Sequence, residues 1–232
     1  MVAAGTGATL IAARRGDPPA IPAAFAYFTA MEVLQGVGWR VADACGTPAN
    51  DLVTHLSALH IAFQPAVVNA VAMELAPARL SPRARAAVFA LCAAATLVML
   101  LQLHPFDWAG TCRLGDPLCG ARLCLVTGAW HIAWEVPYNG LMVGIEEALG
   151  TAFGVPTYML ACFGLPLLYG AWRFALLQGV AGPALAFLLT SDPNEMPAVW
   201  CLFSIALLAL GLSPAFRRRI AAPGGWGRPA LS

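Results

Sequence analysis

Residues 85–103 read RAAVFALCAAATLVMLLQL, an apolar run whose only charge is Arg85 at its start. About 20 such residues make a helix long enough to cross the hydrocarbon core of a bilayer. Similar runs recur on both sides, at roughly 21–42, 51–75, 125–146, 152–171, 174–190 and 192–214. The pattern predicts an all-α fold, a polytopic transmembrane helical bundle of about seven spans. The last span opens on Asp192-Pro193-Asn194-Glu195, where Asp caps, Pro takes the first helical position and Glu closes a capping box. A single membrane domain over 21–214 is flanked by an amino-terminal tail (1–20) and a Gly/Pro-rich carboxyl-terminal tail (215–232). It carries a Cys-rich outer loop at 104–124.

Composition agrees. The 232 residues are 59% hydrophobic and 11% charged, with a mean hydropathy of +0.71, whereas a soluble domain carries about 25% charged residues. Too few polar side chains exist to cover a soluble globule. That excludes a soluble enzyme, a disordered chain and a nucleic-acid binder with a basic face. All 13 cations are arginine. Without a lysine there is no amine for a Schiff base, so no retinal pigment.

Cys45 lies between the first two spans, and Cys112, Cys119 and Cys124 lie between the third and fourth. In a seven-span topology both loops face one side, and these four cysteines can pair there if that side is oxidising. The amino terminus is then inside and Arg79, Arg83 and Arg85 obey the positive-inside rule. Arg217-Arg218-Arg219 fall outside, against it. The expected location is a bacterial cytoplasmic membrane.

Ionisable residues inside a membrane are functional candidates because their burial is expensive. The second span holds His60-Ile-Ala-Phe-Gln64-Pro65, and the fourth holds His131-Ile-Ala-Trp-Glu135-Val-Pro137. On helices, Ser57, His60 and Gln64 share one stripe, and His131, Glu135 and Asn139 share another with Tyr138 beside it. Glu32 and Gln35 add polar groups near the middle of the first span. Two imidazoles and two carboxylates (His60, His131, Glu32 and Glu135) suit Zn or Fe, with Gln35, Gln64, Tyr138 and Asn139 as polar partners behind the ligands. Two facing histidines also suit a haem, and the same set suits a proton relay. Buried hydrogen-bond pairs that hold helices together are the plain structural alternative. His55 is expected at headgroup level, and Glu146-Glu147 solvated at the end of the fourth span. Cys92, Cys162 and Cys201 are expected as apolar filler, and Trp39, Trp108, Trp130 and Trp172 as an interfacial belt.

The runs CGTPAN…LHIAFQPAVVN, WHIAWEVPYNG and DPNEMPAVWCLFS resemble a family of uncharacterised bacterial multi-spanning membrane proteins. Asp107…Cys112…Trp130-His131 and Ser57-x-x-His60 are more distantly similar to pieces of the seven-span zinc amidases of the alkaline ceramidase type. That resemblance implies His ligands with a Ser and an Asp. Here Thr127 stands where the second His of their paired motif belongs, and the Trp-His element falls in the fourth span, not the last.

The leading functional expectation is a metal-dependent membrane enzyme acting on a membrane lipid or other small apolar substrate. Glu32 or Glu135 would take a proton from metal-bound water, and Ser57 or Gln64 would orient the substrate. A proton-coupled transporter or sensor and a bis-His haem electron carrier are the alternatives.

Overall fold

The computed structural model describes residues 1–220. Four helices lead the chain: α1 (Val2–Arg14), α2 (Ala20–Gly38), α3 (Pro48–Leu75) and α4 (Pro82–Gln102). A hairpin of β1 (Cys124–Thr127) and β2 (Ile132–Glu135) follows, then a short α5 (Val143–Leu149). The chain returns through α6 (Pro156–Leu168), α7 (Trp172–Leu189), α8 (Met196–Gly211) and α9 (Pro214–Ile220). Among the described residues α2, α3, α4 and α7 are long and apolar enough to cross a membrane.

The central helix is α3. Thr47 caps it by accepting from Asn50 N, and Pro48 occupies its first turn, where a missing N–H costs nothing. Pro65 interrupts its ladder, because it has no N–H to give and its ring crowds the carbonyl one turn back. Neighbouring helices bond the carbonyls around that break. Tyr27 donates to the His60 carbonyl, Thr96 to that of Ala62 at 2.7 Å, and Cys92 to that of Pro65. The kink thereby ties α3 to α2 and α4.

Five expectations are corrected. First, the segment expected as an amino-terminal tail is helix α1, which lies against α2 with Ala8 and Ala12 buried. Gly5 permits the approach, since a Cβ there would stand 2.1 Å from Thr29 Oγ1. Second, the fourth span does not exist as a helix. Residues 124–135 fold as a hairpin with Cys124 opposite Glu135 and Thr127 opposite Ile132. Leu125, Ile132, Ala133 and Trp134 are buried, so the strands read as a continuous apolar run indistinguishable by hydropathy from a helical span. Pro137 and Gly140 end any helical continuation. The fold is therefore mostly helical with a small sheet, not all-α. Third, the run at 152–171 shortens to α6, because Gly154 and Gly170 adopt positive φ on either side of it. Fourth, residues 214–220 form α9, so only 221–232 of the expected carboxyl-terminal tail remain, and these lie outside the described residues. Fifth, α8 starts at Met196, and Glu195, expected to close a capping box, instead binds the hairpin.

The cysteine expectation holds. Cys45 pairs with Cys124, and Cys112 with Cys119. Asn50, at the start of α3, accepts from Leu125 N at 3.0 Å and donates to its carbonyl at 2.8 Å, fixing β1 on the helix end. Opposite this end, Arg15 donates to the Leu212 carbonyl and Arg173 to that of Arg219. These bonds bring the α1–α2 turn, the α6–α7 turn and the end of α8 together.

Candidate functional site

The expected site residues separate into three places. Glu32 and Gln35 lie buried on the face of α2 that packs on α8, with Gln35 Nε2 donating to the Ala198 carbonyl at 3.3 Å. His60 faces outward on α3 and stacks on Tyr27 with ring centroids 3.8 Å apart, in an apolar groove shared with Leu56 and Phe63. His131 and Glu135 sit on the hairpin. Glu135 is half-exposed and pairs with Arg122 at 4.0 Å. Ser57 is buried, with no partner for its hydroxyl among the described residues.

The metal shell fails this test. No group of three or more His, Cys, Asp or Glu side chains among the described residues is placed to hold a metal ion. Glu32, His60, His131 and Glu135 do not converge, because His131 lies in the hairpin turn and Glu135 ends β2, neither on a membrane helix. No step through a metal or a bis-His haem is derived from them.

The polar partners have structural work. Asn139 donates to the carbonyls of Leu101 and His104 at 2.8 and 2.7 Å, closing the end of α4. Tyr138 is buried beside it, and burial pushes its hydroxyl pKa upward. Glu195, expected only to close a capping box, is fully buried. Its carboxylate accepts from the N–H groups of Trp130 and His131 and from the Thr190 hydroxyl. Burial lowers the His131 pKa, and the nearby Glu195 charge opposes that shift. Glu146, expected to be solvated, is buried and accepts from the N–H groups of Phe153 and Gly154, both at 2.7 Å. Burial raises its pKa and those two bonds oppose the rise. It orders the loop that leads into α6.

Gln64 meets a second hollow, on the inner side of α3. It lines a space of about 460 Å³ with Tyr158, Trp200 and Cys201, within the range of about 300–1,000 Å³ usual for small-ligand sites. Ile61, Leu118, Val155, Met159, Phe187 and Met196 supply apolar walls. The Tyr158 hydroxyl donates to Gln64 Oε1 at 2.7 Å. Trp200 packs edge-on against Tyr158, 5.6 Å between centroids, and tilted against Phe163. Gly182, in the π turn Val180–Ala184 of α7, makes room for this indole, since a Cβ there would stand 2.3 Å from Trp200 Nε1. Single π turns often mark functional sites. Tyr158 and Trp200 were not singled out in the sequence.

Fold and cavity together define a helical protein with four membrane-length helices, a disulfide-tied hairpin at one end and an apolar cavity beneath it. The chain belongs to DUF5765, a family of unknown function, whose match covers residues 1–221. No curated protein and no solved structure matches it.

Proposed function

We propose that this is an integral membrane protein that binds a small apolar or lipid-like molecule in the cavity beside Gln64. The observation that carries the reading is the cavity itself: apolar walls from α3, α6, α7 and α8 around one polar corner, Gln64 and Tyr158. Such a lining favours an apolar body by the area it removes from water. Its one polar corner gives the ligand an orientation.

The same reading assigns sides. Arg14, Arg15, Arg79, Arg83, Arg85 and Arg173 lie in turns or in the helix ends beside them, opposite the disulfides, and α8 returns to that end. Positive charge favours the cytoplasmic face and disulfides the oxidising face. With the hairpin not crossing, the α9 stretch Arg217-Arg218-Arg219 falls on that same side of the chain, and the conflict of the seven-span topology disappears.

Native mass spectrometry of protein extracted from its membrane tests the binding reading. Wild-type protein is expected to carry one apolar molecule. Ala152→Trp, at an exposed position lining the cavity, is expected to lose it while keeping its circular dichroism spectrum. Equal loading of the two proteins would overturn the reading.

A further inference from the structure

We infer that the cavity selects a neutral molecule whose head is a hydrogen-bond-accepting carbonyl, held by the amide nitrogen of Gln64. The inference rests on the binding reading above and adds the chemical class of the ligand.

The direction of one hydrogen bond decides it. The Tyr158 hydroxyl donates to Gln64 Oε1 at 2.7 Å, and both side chains are at most 2% exposed, so their polar groups find partners inside the protein. A hydroxyl carries one proton, and this one goes to Gln64. The oxygen of Gln64 is occupied, which leaves its Nε2 with two N–H donors beside the cavity that Gln64 lines. What this corner asks of a ligand is an acceptor.

The walls narrow the class. No Arg, His, Asp or Glu is among the described residues that line the cavity. A carboxylate, phosphate or ammonium head would thus be buried without a counter-charge, at a cost of several kcal/mol per ion. An alcohol brings a proton that needs an acceptor of its own, and no carboxylate or free amide oxygen stands among the described lining side chains. A carbonyl accepts and asks nothing in return. The aromatic faces of Trp200, Tyr158 and Phe187 suit a flat body behind it. A quinone ring and an ester-headed lipid share this chemistry.

Titration calorimetry on the detergent-purified full chain separates these sources and tests the inference. Menadione is compared with methylnaphthalene, and methyl oleate with an alkene of the same length. In wild-type protein at least one carbonyl probe is expected to bind about tenfold tighter than its hydrocarbon partner, the size of one good hydrogen bond. The pair with the larger ratio names the source. Gln64→Leu is expected to bring that ratio to about one. Tyr158→Phe keeps the ring but frees the amide to turn, and is expected to lower the ratio several-fold. If hydrocarbon and carbonyl probes bind wild-type protein equally, or the ratio survives both variants, the inference falls and the cavity reading stands. If no probe binds, the cavity reading falls and takes the inference with it.

Discussion

His60-Ile61-Ala62-Phe63 and His131-Ile132-Ala133-Trp134 are nearly the same tetrapeptide in two different structures. The first is a turn of α3 and the second enters β2. In α3, Ile61 and Ala62 face the core while Phe63 is 49% exposed on the outer surface. In β2 the corresponding Trp134 is 1% exposed, because the hairpin is covered on both faces. The difference lies in the flanks. α3 embeds the motif in 28 helical residues and absorbs Pro65 through bonds from its neighbours. The hairpin is held from outside, by Cys45–Cys124, by Asn50 on Leu125 and by Glu195 on its turn. Tertiary anchors, not local sequence, choose the strand.

The largest effect should come from cutting such an anchor. Cys45 and Cys124 are 79 residues apart, and loop-closure entropy values that crosslink at about 4–5 kcal/mol. Replacing both by Ser should lower the midpoint of denaturant unfolding accordingly and open the hairpin turn to protease. A midpoint within about 0.5 kcal/mol of wild type would mean that the helices alone define the hairpin. Next comes the paired aromatic position. Trp134→Ala should cost about 3–5 kcal/mol, and Phe63→Ala in detergent about 1 kcal/mol or less. Equal losses would mean that the two motifs are buried alike.

Acid should produce the smallest effect, and only at the hairpin. The Thr127 N–H and hydroxyl donate to Asp43 and hold its carboxyl below the usual range. Its folded pKa is the lower one, so its contribution is present above about pH 4 and fades as pH falls through the folded pKa. Burial depresses the His131 pKa in the same sense. Its contribution is full above about pH 6.5 and fades as pH drops through the folded pKa. Amide protection in 124–135, after correction for the intrinsic exchange rate at each pH, should therefore fall between pH 7 and pH 5, and His131→Gln should flatten that slope. A slope unchanged by the substitution would remove His131 from the account.

The membrane-length helices were legible because length and uniform apolarity are enough to mark them. The expected 21–42, 51–75, 85–103 and 174–190 correspond to α2, α3, α4 and α7. Cysteine grouping also survived translation into structure, since disulfide pairing needs only a shared side and approach. The hairpin was not legible, because four-residue strands buried on both faces carry no alternation. The convergence of the histidines and carboxylates depended on a fourth helix and fell with it. Gln64 stood out as a polar residue in an apolar run. Its partner Tyr158 is 94 residues away, on a helix whose hydropathy hides which face it turns inward.

Quenching of Trp200 by a brominated acyl chain tests the central claim most directly, because this indole lines the cavity. Wild-type protein titrated with brominated methyl oleate in detergent should show saturable quenching. In Trp200→Phe the saturable part should vanish, leaving only the linear quenching of the remaining tryptophans. Identical curves for the two proteins would contradict an apolar ligand in this cavity.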